Sequence, residues 1–159
     1  LHTLVARIRK VPGHHVAPQA DATADVEHAE HRHAQVLQVA ADKGAEPGDK
    51  DSQYDLGMKL KKGDGVPKSL SESAQWFTKS AQQGQMAAQF ELAQMYVNGE
   101  GVAKDRVLAY AWFNVAIING HYPASKPRDL LAKTMSADDI AEAEQLSSMW
   151  KFGLPIERN

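Results

Sequence analysis

QFELAQMYVNGEGVAKDRVLAYAWFNVAIINGH, residues 89–121, decides the fold, because QYDLGMKLKKGDGVPKSLSESAQWFTKSAQQGQ, residues 53–85, lies over it without a gap at an offset of 36. Identical pairs are Gln53/Gln89, Leu56/Leu92, Gly63/Gly99, Gly65/Gly101, Val66/Val102, Lys68/Lys104, Trp76/Trp112, Phe77/Phe113 and Gly84/Gly120. Tyr54/Phe90, Asp55/Glu91 and Gly57/Ala93 are conservative. Chance similarity would not concentrate on turn glycines and large apolar residues. A fixed period of this length is the mark of a repeat architecture, in which each unit buries its apolar face against the next.

Each unit reads helix, tight turn, helix, glycine stop. In the first helix, Ser52, Leu56, Gly57 and Leu60 recur as Ala88, Leu92, Ala93 and Tyr96. That spacing is one helical face, predicted to be buried. Gly57 or Ala93 in the stripe lets the second helix approach closely. Gly63 and Gly99 stand just past the helix end, where a left-handed cap favours a residue without a side chain. Ser69 with Glu72 three residues on forms a capping box, and Asp105 holds the equivalent place in the next unit. The second helices carry Ala74, Trp76, Phe77 and Ala81, then Tyr110, Trp112, Phe113 and Ile117, and stop at Gly84 and Gly120.

Beyond the repeats the pattern changes but stays helical. Pro123 suits a first helical position, and Leu130 and Leu131 give an apolar face up to Met135. Ser136 with Asp139 caps a last helix striped by Ile140, Ala143, Leu146 and Trp150, closed by Gly153 and Pro155. Residues 122–151 therefore read as a C-terminal capping helix pair, with 152–159 as a tail. Towards the N-terminus, Ala34, Val36, Leu37, Ala40, Ala41 and Gly44 lie over Ala74, Trp76, Phe77, Ser80, Ala81 and Gly84 at an offset of 40. Residues 21–50 are thus expected to hold the helix of a degenerate first repeat, at 23–43, plus a loop with a four-residue insertion. Residues 1–20, with Pro12, Gly13 and Pro18, read as a flexible arm.

Composition narrows the function classes. The 159 residues carry 43% hydrophobic and 24% charged side chains with a formal net charge of -2, and the pI is near 6.4 with a mean hydropathy of -0.47. Nothing here resembles the positive field of a nucleic-acid binder. There is no cysteine, which excludes disulfides, thiolate metal sites and cysteine nucleophiles. No stretch approaches the ~20 apolar residues of a membrane span, so membrane insertion is not expected. Residues 1–10 are too short and too broken by Arg7, Arg9 and Lys10 for a signal-peptide core. With Leu1 in place of Met the chain reads as a fragment or a processed form, and periplasm and cytoplasm both stay open.

With the repeat in view, the chain resembles the Sel-one-like repeat family, a relative of the tetratricopeptide repeat with a slightly longer period, and reads as a bacterial member. The motif stands as DSQYDLGMKLKKGDGVPKSLSESAQWFTKSAQQG at 51–84 and as AAQFELAQMYVNGEGVAKDRVLAYAWFNVAIING at 87–120. Its specific signal is the Gly-x-Gly-Val turn joined to Trp-Phe at a fixed distance. Leu60 stands where a tyrosine is usual and Ser69 where an aspartate is usual. RDLLAKTMSADDIAEAEQLSSMW, 128–150, looks like the cap that follows the last such repeat in bacterial members. The resemblance implies an all-α fold, a right-handed α-solenoid of antiparallel helix pairs (a tetratricopeptide-like α-α superhelix), whose members act as adaptors organising protein complexes. Carried over by position, the concave groove would present Tyr54, Met58, Lys61 and Lys62 from one unit and Phe90, Gln94, Val97 and Asn98 from the next. Each set falls at i, i+4, i+7, i+8, a stripe beside the buried one. Such a mixed aromatic, amide and basic surface suits a protein or peptide of partly acidic character.

Sharper chemistry finds less support. Trp76, Phe77, Trp112 and Phe113 recur at the repeat period and read as core rather than a stacking platform. Tyr54 and Phe90, flanking that core, suit groove and core about equally. His28, His31 and His33 with Glu27 and Glu30 form VEHAEHRH, where a solvated helix face is favoured over a metal site. Ser148 and Lys151 have Ser-x-x-Lys spacing but lack the companion motifs of penicillin-recognising enzymes. Gly63-Asp64-Gly65 and Gly99-Glu100-Gly101 place an acid where phosphate would bind, and read as turns. Lys59, Lys61 and Lys62 are balanced by Asp55 and Asp64.

The leading expectation is a non-enzymatic binding module without catalytic residues, cofactor or metal, taking a protein or peptide in its groove. The alternatives are a structural segment of a longer solenoid, self-associating through the residue 1–50 end, and a metal-dependent or serine hydrolase using the histidines or Ser148.

Overall fold

The computed structural model describes residues 27, 28, 30–32, 34, 35, 38, 48–150 and 156–158. The expected arm at 1–20, most of the degenerate-repeat helix and residues 151–155 lie outside these. Among the described residues the chain is helical throughout, without strands. From residue 50 the order is α1 (Lys50–Lys62), α2 (Leu70–Gln82), α3 (Met86–Asn98), α4 (Arg106–Ile118), a 3-10 turn (Tyr122–Ala124), α5 (Ser125–Ala132) and α6 (Ala137–Met149).

The caps read from the sequence start these helices. The Ser69 hydroxyl accepts from the Glu72 N–H at 3.3 Å, the Asp105 carboxylate from Leu108 N–H at 3.0 Å, and the Ser136 hydroxyl from Asp139 N–H at 3.1 Å. Two further caps join these: Asp49 accepts from the Ser52 N–H at 3.1 Å and Gln85 from the Ala87 N–H at 2.9 Å. Hydrogen bonds from Ser52 hold the Asp49 carboxyl below its ordinary range. Gly63 and Gly99 end α1 and α3 with φ of 76° and 72°, the left-handed region. The turns then close alike, Ser69 N–H donating to the Leu60 carbonyl at 2.9 Å and Asp105 N–H to that of Tyr96 at 3.0 Å.

α1 packs on α2, α3 on α4, and α2 on α3, so each pair stacks on the next. Trp76, Phe77, Trp112 and Phe113 are all buried, as expected of core. Gly57 faces the Phe77 ring, and a Cβ there would come within 2.7 Å of two ring carbons. The sequence stripe misses one layer. Gln53 and Gln89 are buried, whereas Ser52 and Tyr96 are only half-buried. Their amides pair across the helix couple. Gln53 Oε1 accepts from Gln83 Nε2 at 2.8 Å, and Gln89 Oε1 accepts from Asn119 Nδ2 at 2.9 Å while its Nε2 donates to the Ala81 carbonyl at 3.0 Å. The identical glutamines are thus a repeated polar tie that satisfies its own buried amides.

The C-terminal elements depart from a helix pair like the others. α5 and α6 both pack against α4 rather than chiefly on each other. Pro123 opens a 3-10 turn that runs directly into the eight-residue α5. Leu131 is buried, but Leu130 is 54% exposed, correcting the expectation that both face the core. Successive helical residues point about 100° apart, so a short helix leaning on one neighbour buries only one of the two. At the N-terminal end, Ala34 is exposed where its counterpart Ala74 is buried.

Candidate docking surface

The eight side chains expected to line the groove lie on α1 and α3, and the structure divides them into four settings. Tyr54 and Phe90 are half-buried. The Tyr54 ring lies 5.8 Å from that of Phe77, and Phe90 lies 5.8 Å from Phe113 and 4.9 Å from His121. Burial pushes the Tyr54 hydroxyl above its ordinary pKa, and the Glu91 and Asp55 charges add to this. These rings form the apolar flank of the core and keep one side towards solvent.

Lys61 is already engaged. Its ammonium meets the Glu91 carboxylate at 2.7 Å, both half-buried, and ties α1 to α3 across the two units. Met58 and Lys62 instead line a shallow depression of about 190 Å³ with Asp55, Lys59 and Asp64, where charges of both signs meet.

Gln94, Val97 and Asn98 are brought together in a larger cavity of about 520 Å³. The turn and α4 add Lys104, Arg106 and Phe113 to its wall, and α5 with its following turn adds Pro127, Leu130, Leu131 and Thr134. Arg106 Nη1 donates to the Thr134 carbonyl at 3.2 Å, bridging the start of α4 to the end of α5. Sequence reasoning matched Lys104 to Lys68 but did not assign it to the groove, and it did not place α5 there at all. The periodic signal ends at the second repeat, so it carried no information about what stands opposite α3.

The remaining candidates stay apart. Glu27, His28, Glu30 and His31 are helical and exposed, the Arg32 guanidinium donates to the His28 carbonyl at 3.2 Å, and His33 lies outside the described residues. Among the described residues no three or more His, Asp or Glu side chains are grouped to hold a metal ion. The exposed Ser148 hydroxyl donates to the Gln145 carbonyl at 2.8 Å, and Lys151 lies outside the described residues. No described helix is long and apolar enough to cross a membrane.

Two stretches, residues 50–85 and 87–121, match the Sel1 repeat. The two matches together cover less than half of the chain. The Sel1 architecture extends to solved structures. The c5321 protein, a protective antigen present in uropathogenic Escherichia coli strains and displaying an SLR fold, is 35% identical with a TM-score of 0.66, over 78% of this chain and 27% of that one. A Sel1 repeat protein from Oxalobacter formigenes is 38% identical with a TM-score of 0.51, over 52% of this chain and 62% of that one. The chain thus spans about a quarter of the first bacterial protein and less than two thirds of the second. A search of curated proteins gave no match. Sel1 repeats are in general protein-interaction modules built on a helical scaffold.

Proposed function

We propose that this chain is a non-enzymatic adaptor module that holds a protein or peptide partner against the α1/α3 face, along Tyr54, Met58, Lys61, Lys62, Phe90, Gln94, Val97 and Asn98. The observation that carries this is the gathering of Gln94, Val97 and Asn98 into one cavity of about 520 Å³, with the half-buried ring of Phe90 one helical turn before Gln94 and that of Tyr54 at the equivalent place on α1. A cavity of that size is in the range of ligand sites, with apolar walls for contact area and a few polar groups for orientation. The rings are restrained by Phe77 and Phe113, so a partner orders little on binding them. The Lys61–Glu91 pair fixes the spacing between the two contributing helices.

The test is cross-linked capture from the source organism with wild type and with the triple variant Lys62→Glu, Gln94→Glu, Asn98→Glu. These three sites leave the core rings in place, so both proteins should give the same circular dichroism spectrum. Capture of a defined partner by wild type alone supports the reading. Equal capture by both proteins removes this face, and capture by neither removes the adaptor role.

A further inference from the structure

The cavity beside α3 is unlike the rest of the α1/α3 face in its charge. Its charged lining residues are Lys104 and Arg106, with no carboxylate among them, in a chain whose formal net charge is -2. Among the described residues three other cations form salt bridges: Lys61 pairs with Glu91, Arg128 with Asp129, and Arg158 with both Asp105 and Glu142. Among the described residues neither Lys104 nor Arg106 forms a salt bridge. Arg106 spends one nitrogen on the Thr134 carbonyl, leaving further donors of its guanidinium fork. The smaller depression near Met58 differs, since Asp55 and Asp64 there answer Lys59 and Lys62.

Around the two cations the wall is apolar, with Val97, Phe113 and Leu131, and carries the side-chain amides of Gln94 and Asn98. Leu130 stands 54% exposed at its edge. A ligand that satisfies this lining needs a negative charge at one end, an apolar group against the floor, and backbone for the amides.

We infer that this cavity takes an acidic side chain, Asp or Glu, of a partner's internal peptide segment with an aliphatic residue beside it. The carboxylate meets Lys104 and Arg106, the aliphatic side chain rests on Val97, Phe113 and Leu131, and Gln94 and Asn98 hydrogen-bond the segment's backbone. This inference rests on the docking reading above and names the chemistry of its partner. It also makes the C-terminal cap half of the site, since α5 supplies the wall opposite α3. Because the cations stand at a solvent-accessible rim, the charge contributes selectivity more than raw affinity.

The test pans a phage-displayed dodecapeptide library, each peptide fused through its C-terminus so that no terminal carboxylate is free, on the intact chain. The expected result is enrichment of Asp or Glu adjacent to Leu, Ile, Val or Met. A synthetic, end-blocked winner should bind the Lys104→Glu, Arg106→Glu chain at least tenfold more weakly, and Lys104→Arg should restore binding when paired with native Arg106. Replacing the winner's acid by its amide should weaken binding to wild type several-fold and leave binding to the double variant unchanged. Winners that lack an acid and bind both chains equally would overturn the inference. The adaptor reading would survive that result if the Lys62→Glu, Gln94→Glu, Asn98→Glu chain still lost them. Enrichment seen only with a library presenting free C-termini would make the occupant a chain end and overturn it too. A self-association seen by sedimentation and abolished by the double variant would make the occupant a second copy.

Discussion

The two repeats share a backbone but not the way it is fastened. In the first, Ser73 and Ser80 are fully buried, and their hydroxyls donate to the Gly57 carbonyl at 2.7 Å and the Lys50 carbonyl at 2.6 Å. In the second, the equivalent positions are Ala109 and Ala116, equally buried and with no hydroxyl at all. The same helix couple therefore forms with and without these ties. What the repeats hold in common is the left-handed glycine turn, the Gln tie and the Trp-Phe pair, and these set the geometry. The serines add local stability to a unit that is otherwise less apolar.

The comparison breaks most visibly at its shared residues. Trp112→Ala should destabilise the chain by about 3–5 kcal/mol in chemical denaturation, because the ring is buried in the main core. A loss under about 1 kcal/mol would remove Trp112 from the shared frame.

Gly101 and Gly65 sharpen it next. Both have positive φ, 72° and 71°, but a Cβ on Gly101 would fall 2.1 Å from the Leu70 carbonyl oxygen of the first repeat, whereas one on Gly65 would meet nothing within 4 Å. Gly65→Ala should cost the roughly 1–2 kcal/mol of a left-handed residue. Gly101→Ala should cost a further ~1–3 kcal/mol of steric displacement. Equal midpoints for the two variants would mean that the repeats do not approach as closely as described.

Gly57→Ala installs in the first repeat the methyl that Ala93 already carries in the second. Crowding against the Phe77 ring should outweigh the gain in helix propensity, for a net loss of about 1–2 kcal/mol. A rise in stability would show the ring to be free to yield.

Smallest of all, Ser73→Ala should cost about 1 kcal/mol, the worth of one hydrogen bond whose carbonyl partner keeps its place in the helix. A loss above about 3 kcal/mol would make the serines part of the frame instead of an addition to it.

Legibility in the sequence followed periodicity. The helices of residues 50–118, two of their N-caps, Ser69 and Asp105, and the four core aromatics could be read because each recurs at 36 residues or obeys a short capping rule. Gln53 and Gln89 recurred too, yet a glutamine does not advertise burial, since its partners, Gln83 and Asn119, come from the neighbouring helix. Three of the eight groove residues proved to share a cavity, and Lys61 proved to be tied to Glu91. The opposite wall was illegible, because α5 has no counterpart in the repeats and Leu130 and Leu131 read alike without knowledge of the direction in which α5 leans.

That lean gives α4 an unusual position. It touches α3 on one side and the 3-10 turn, α5 and α6 on others, and eight of its residues are buried: Val107, Ala109, Tyr110, Ala111, Trp112, Phe113, Val115 and Ala116. A helix apolar nearly all round is an interior element, not a surface one. Its amides can meet solvent only after several neighbours have parted, so they should be the slowest in the chain to exchange with deuterium. Opening then proceeds from the outer layers inward, and the last structure to dissolve is the one helix that repeat, cavity and cap all share.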